Sequence, residues 1–226
     1  MLTRMTVDTT QQRLEAALTR MPLFPLPNVV LFPHAPLRLH IFEDRYRAMT
    51  RDILAGERFV AMGLIVEGAS AADERPAVEP IAGIGEVVMA HELPDGRFNL
   101  VVRGYARVHI DEELSSDLPY RLVSASVMPD LPITDRNELR DAEQSLRVLI
   151  GQLADSIPEG GEPLRQIVAG LETPAALANV AAAELIADVG VRQQLLETRD
   201  VAKRLEGVTA EIVGMMARLG APGVLN

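Results

Sequence analysis

The dominant pattern of the apolar residues changes at Pro129-Asp130-Leu131-Pro132. From Met21 to about Met128 the pattern is β-rich, with apolar residues at every second position in its clearest strands. From about Thr134 they recur at every third or fourth, as on one side of a helix. Two prolines in four residues end both kinds of element. The order is therefore strands first and helices second, which predicts an α+β fold. The boundaries read as a polar leader over residues 1–20 with a short helix near Thr10–Arg20, a β domain over 21–130 and a helical bundle over 131–226.

In the β half, Leu37, Leu39 and Ile41 alternate with Arg38 and His40, the mark of a half-buried strand. A helix follows near Glu43–Ala55. Phe59–Val66 is apolar enough for a strand buried on both faces, and residues 68–79 read as an exposed loop. The strongest local signal is a hairpin of Ile81–Leu93 and Arg97–Ile110 around Pro94-Asp95-Gly96. Proline presets φ there and glycine supplies a positive φ. Phe98, Leu100, Val102, Gly104, Ala106, Val108 and Ile110 share one face of the return strand. That strand is too long to stay flat, and Gly104 is where it should bend. With Tyr120–Met128 as a further strand, the expectation is a small, partly open β-barrel.

In the second half, Leu139, Ala142, Leu146, Leu149, Ile150 and Leu153 mark one helix. Thr173-Pro174 pairs a cap with proline at the first helical position. Gly190 is placed to end that helix. Asp200 can cap a last one bearing Val201, Leu205, Val208, Ile212, Met215 and Leu219. A bundle of about four helices results.

Bulk properties narrow the function. No apolar run approaches the roughly 18 residues of a membrane span, and the N-terminus lacks the apolar core of a secretion signal. Cysteine is absent, which removes thiol chemistry and makes the cytosol the expected compartment. A net charge of −10 disfavours broad capture of nucleic acid or anionic lipid.

Catalytic constellations are missing. No Gly-x-x-x-x-Gly-Lys-Ser/Thr loop occurs, so there is no phosphate cradle of the P-loop kind. Lys203 is the single lysine and lies on a charged helix face, a poor setting for a Ser–Lys dyad. His34, His40, His91 and His109 lack the spacing of metal ligands, and no cofactor is expected. Glu112-Glu113 and Asp73-Glu74 read as solvated acids in turns.

Two surfaces merit attention. Arg97, Arg103, Tyr105 and Arg107, with His109, form a basic and aromatic stripe on the return strand. Such a stripe can grip single-stranded nucleic acid. It also fits a solvated outer face or a protein-binding surface, and Asp111, Glu112 and Glu113 dilute its charge. In the Pro/Phe run, Phe24 and Phe32 read as core residues, with the prolines shaping an edge strand. Exposed anchors for unfolded chains are the alternative.

The run Pro22-Leu23-Phe24-Pro25-Leu26-Pro27-Asn28-Val29-Val30-Leu31-Phe32-Pro33 resembles the opening of the Lon protease N-terminal domain. The likeness continues through Leu37–Phe42 with Glu43, Arg45 and Tyr46, then Gly83-Ile84-Gly85, Leu93-Pro94-Asp95-Gly96-Arg97 and Gly104 to Arg107. A second stretch resembles the same family: Gln193-Gln194-Leu195-Leu196-Glu197, Asp200-Val201 and Arg204-Leu205. It spans about Met21 to Leu219. His34 stands where the family usually has glycine, and Arg192 where lysine is common.

The resemblance implies a PUA-like barrel followed by a helical bundle. Phe24, Pro25, Phe32, Pro33, Phe42, Glu43, Arg45 and Tyr46 are the signature side chains, mostly structural. In full Lon the last helix continues into an ATPase module, whereas this sequence ends at Gly-Ala-Pro-Gly-Val-Leu-Asn. The expectation is a stand-alone, non-enzymatic module that binds unfolded or specific client proteins and serves an ATP-dependent protease. A peptide groove is expected between barrel and bundle, and self-association into a homo-oligomer is a further expectation. PUA-like barrels include RNA binders, so RNA binding is the alternative.

Overall fold

The computed structural model describes residues 2–69, 75–157 and 161–218, without the side chains of residues 2–9. Contacts divide the chain into a unit of residues 1–128 and a unit of residues 129–226.

The first unit holds α1 (Leu2–Leu18), β1 (Met21–Leu26), β2 (Pro36–Ile41), α2 (Asp44–Ala55), β3 (Phe59–Leu64), β4 (Ile81–Glu92), β5 (Phe98–Leu114) and β6 (Arg121–Val127). The six strands are ordered β2-β5-β4-β3-β1-β6, and β5 pairs with β6 as well. That last pairing closes β5, β4, β3, β1 and β6 into a ring and leaves β2 as a flap on the first part of β5. All pairings are antiparallel except β1 with β3.

The ring of strands packs against two cores, one on each side. Phe24, Val60, Met62 and Leu122 pack in one core with Tyr46, Met49 and Ile53 of α2. Leu23, Phe59, Ala61 and Val123 pack in a second core with Leu14 and Ala17 of α1. The pleat sends alternate side chains to opposite faces, so β3 is buried throughout. Residues 1–20 therefore do more than lead in. The helix expected near Thr10–Arg20 begins at Leu2, and its buried Leu14 and Ala17 cover one side of the sheet.

The segment between β1 and β2 crosses the sheet at close range. A Cβ on Gly104 would overlap the Phe32 carbonyl oxygen, and one on Gly83 the Leu31 carbonyl oxygen. His34 N–H donates to Gly104 O (2.8 Å), and Gly104 N–H donates to Ala35 O (2.9 Å). Gly104 serves this approach, and the irregularity of β5 comes one residue later, at Tyr105. His34 takes φ +72° there, a conformation that favours glycine.

One expectation about the Pro/Phe run is corrected. β1 is an interior strand, flanked by β3 and β6, and not an edge. Its prolines fit because each has a register partner on one flank only: Pro22 opposes Leu122 of β6, and Pro25 opposes Gly63 of β3.

The second unit holds α3 (Arg136–Asp155), α4 (Gly161–Ala169), α5 (Pro174–Leu185), α6 (Val189–Glu197) and α7 (Val201–Arg218). Three caps follow the rules. Asp135 accepts from Asn137 and Glu138 N–H, Thr173 from Ala176 N–H, and Asp200 from Ala202 and Lys203 N–H. Gly190 ends nothing. α5 stops at Leu185, and Asp188 caps a new helix by accepting from Val191 N–H (2.8 Å), with Gly190 in its first turn. On α7 the buried methionine is Met216, while Met215 is half-buried; Leu219 lies outside the described residues.

The largest fully buried side chain is Arg204. Its guanidinium grips Asp130 with two bonds (2.9 and 3.1 Å) and donates to Thr198 O (2.6 Å). The proline-bounded stretch that ends the β period is thus tied to α7 by a two-pronged ion pair.

Candidate functional site

The signature side chains separate into three settings. Phe24, Pro25, Phe32 and Pro33 are buried. Phe24 packs on Tyr46 with ring centres 4.2 Å apart. The core reading of the Pro/Phe run holds, and these phenylalanines are not surface anchors. Glu43 and Arg45 form an ion pair at 2.8 Å at the start of α2, with the Arg45 guanidinium 4.6 Å from the Tyr46 ring centre. Phe42 alone is strongly exposed, at 63%.

The basic stripe does not form one face. Arg97, at the hairpin tip, donates to Asp95 (2.7 Å), holding that carboxyl below its ordinary range by hydrogen bonding. Arg103 is exposed in mid-strand. Tyr105 packs edge-on against Phe59, ring centres 5.5 Å apart. Arg107 is buried at 3%, and its Nη1 donates to Met128 O at 3.5 Å. The cause is a bulge. Gly85 opposes Gly104 while Ile84 opposes Ala106, so Tyr105 is the extra residue and the alternation beyond it is broken. Plain alternation, which puts Arg107 outward, fails from that point. His109 bonds to Asp111 at 2.9 Å. Of the paired acids, Glu113 bonds to Arg121, and Asp73-Glu74 lies outside the described residues.

A different surface gathers exposed apolar groups. On the outer side of the β2–β5–β4 flap, Arg38, His40, Met89, His91, Asn99 and Val101 line an open depression of about 390 Å³. Register places them in rows: Arg38 opposes Val101, which opposes Met89, and His40 opposes Asn99, which opposes His91. Met89 is 63% exposed. A second bulge makes Val88 the extra residue beside it, 42% exposed. Phe42 extends the surface by stacking on His40, ring centres 6.3 Å apart. His40 Nδ1 pairs with Asn99 Oδ1 at 2.7 Å and Arg97 approaches its Nε2 at 3.3 Å, which fixes the ring. The outer edge of β2 has no strand beside it among the described residues. α2 braces this flap: Arg47 donates to the carbonyls of Gly96 and Asp95 at the hairpin turn.

These elements, in this order, carry the family assignment. A model of the ATP-dependent protease La (LON) substrate-binding domain matches residues 20–213. The chain belongs to this family. Among curated Lon proteases, that of Xanthomonas oryzae pv. oryzae is 28% identical over 192 residues, covering 82% of this chain and 22% of that protein. The Lon protease of Dictyoglomus thermophilum is 25% identical over 190 residues, covering 84% and 24%. The chain thus spans about a quarter of the Lon proteases it matches. Among solved structures, the N-terminal domain of Mycobacterium avium complex Lon protease superposes with a TM-score of 0.70 at 19% identity, covering 86% of this chain and 98% of that one. The Lon N-terminal domain protein from Xanthomonas campestris gives 0.57 at 25% identity, covering 85% and 98%.

The Lon-type fold fits the ring of strands and the separate helices described above. Among the described residues no helix is long and apolar enough to cross a membrane, and no three His, Asp or Glu side chains are grouped to hold a metal.

Proposed function

We propose that this chain is a non-enzymatic protein-binding module of the Lon substrate-binding type. It recognises exposed apolar segments of client proteins and presents them to an ATP-dependent protease. Phe42, Val88 and Met89 carry the reading. They are large apolar side chains left open to water on one sheet surface, and such a patch is stabilised by a partner that covers it. The unpartnered edge of β2 gives an extended client backbone a strand to pair with, while the depression takes alternate side chains. Arg38, His40 and Asn99 supply the polar contacts that fix register. Lys203, the single lysine, sits exposed on α7, consistent with a module that binds and does not cleave.

The test is binding of a fluorescein-labelled peptide of alternating leucine and serine, followed by anisotropy. Phe42→Ser with Met89→Ser should weaken binding by about tenfold or more, since each side chain contributes roughly 1.5 kcal/mol or more when fully buried. Thermal stability should hold, because both side chains are already exposed. Unchanged affinity in the double variant would remove this surface from the function. No binding by the parent chain would remove the function itself.

A further inference from the structure

A second cavity in the β unit differs from the apolar surface in shape and chemistry. Pro25, Arg45, Tyr46, Arg75, Leu118, Pro119, Tyr120 and Arg121 enclose a cleft of about 220 Å³. It is smaller than the roughly 300–1,000 Å³ of drug-sized sites, so it suits one short group. Three of its eight lining residues are arginines, in a chain of net charge −10. Two carboxylates answer them. Glu43 holds Arg45. Glu113 holds Arg121 through two bonds (3.0 and 2.6 Å) and Arg75 at 3.5 Å. Behind Tyr120 the Asp52 carboxylate is offset by Arg20, so one positive charge is left over among these groups.

The hydrogen-bonding inventory leaves donors as well. Arg121 is fully engaged, its third nitrogen donating to Pro76 O at 2.6 Å. The Tyr120 hydroxyl donates to Asp52 at 2.6 Å. Tyr46 is different. It is only 5% exposed and lines the cleft, yet no described group hydrogen-bonds its hydroxyl. Burial raises its pKa, with Arg45 and Arg121 acting in the opposite direction, so at neutral pH the phenol keeps its proton and can donate. Arg45 uses Nε and Nη2 on Glu43 and keeps Nη1 for another acceptor. Arg75 is 58% exposed and weakly held, so it can turn toward a ligand.

We propose that this cleft binds a single carboxylate on a short apolar stem, with Tyr46 and Arg45 donating to its oxygens and Pro25, Leu118 and Pro119 against the stem. The charge count selects the ligand. A carboxylate matches the one unbalanced positive charge, whereas a phosphate monoester brings about −1.5 to −2 at neutral pH. Planar guanidinium donors fit a carboxylate's two oxygens. The carboxylate's source, a client's C-terminal residue or an acidic side chain, rests on the function proposed above; the cleft's chemistry does not.

The experiment is an NMR titration of the full chain with N-acetyl-leucine, N-acetyl-leucinamide and the α-amide of N-acetyl-aspartate. N-acetyl-leucine should shift signals of Arg45, Tyr46 and Arg121 and saturate, and the leucinamide should not. Tyr46→Phe, which removes one oxygen and keeps the ring packing, should weaken binding at least about tenfold, the scale of one hydrogen bond to a charged acceptor. Arg75→Gln, at an exposed site, should weaken it less with no loss of stability. Saturation by the aspartate amide supports the cleft and marks acidic side chains as its source. Equal response to acid and amide, shifts confined to other residues, or stronger binding of inorganic phosphate would each overturn the proposal. A chain that binds N-acetyl-leucine in the cleft but no apolar peptide would keep the cleft and refute client recognition. The reverse result would refute the cleft alone.

Discussion

The two units are specified by different kinds of information. Among the described residues the second unit holds five helices, and four of them start at a cap close by in sequence: Asp135, Thr173, Asp188 and Asp200. Residues 1–128 build strands whose neighbours are distant in sequence. β1 lies between β3 and β6, and β2 pairs with β5 across more than fifty residues. Local rules therefore read the helical unit well and the β unit only in part. The contrast teaches where function can arise. Bulges and close approaches in the β unit redirect side chains, and both proposed binding surfaces lie there.

Three variants probe that contrast. Gly104→Val should have the largest effect. The new side chain would drive into the Phe32 carbonyl oxygen, which is backbone and cannot swing aside. A loss of about 4 kcal/mol or more is expected in urea unfolding, the range of severe core disruption. A loss under about 1 kcal/mol would mean that the 31–35 segment is not needed to hold the barrel.

Arg204→Met tests whether the helical unit is as local as its caps imply. Asp130 would lose its buried partner, and breaking such a pair costs about 3–5 kcal/mol. Asp130 is partly exposed, so the lower end is expected. Adding Asp130→Leu should recover part of the loss, because no charge is then stranded. A denaturation midpoint that Arg204→Met leaves in place would make the unit local after all.

The smallest expected effect is a gain. His34→Gly should stabilise the chain by about 1 kcal/mol, because the left-handed conformation at φ +72° costs an L-residue about 1–2 kcal/mol, less glycine's added unfolded-state entropy. Differential scanning calorimetry would show a raised Tm. A lowered Tm would mean that the histidine side chain contributes more than its backbone strain costs.

Of the candidate sites, the sequence showed parts without their arrangement. Arg45 and Tyr46 stand out in the signature segment, but Arg121 and Leu118 reach the same cleft from some seventy residues away. Phe42 was legible as a signature residue. Its exposure was not, since it follows the buried Ile41 and continues an apolar strand. Met89 and Val88 come outward at a bulge that alternation cannot foresee. Arg107 turned inward past the other bulge, which broke the basic stripe.

The sequence by itself determined the order of strands then helices, the hairpin at Pro94-Asp95-Gly96, the helix caps at Thr173 and Asp200 and the missing P-loop. These depend on short-range physics: side-chain period, turn geometry and unpaired amides at helix starts. Tertiary structure decided that β1 is interior, that α1 covers a core, that Arg204 closes on Asp130, and which side chains face water. Each is a contact between residues far apart in the chain, won by burying apolar surface or pairing charge, and no local pattern records the partner.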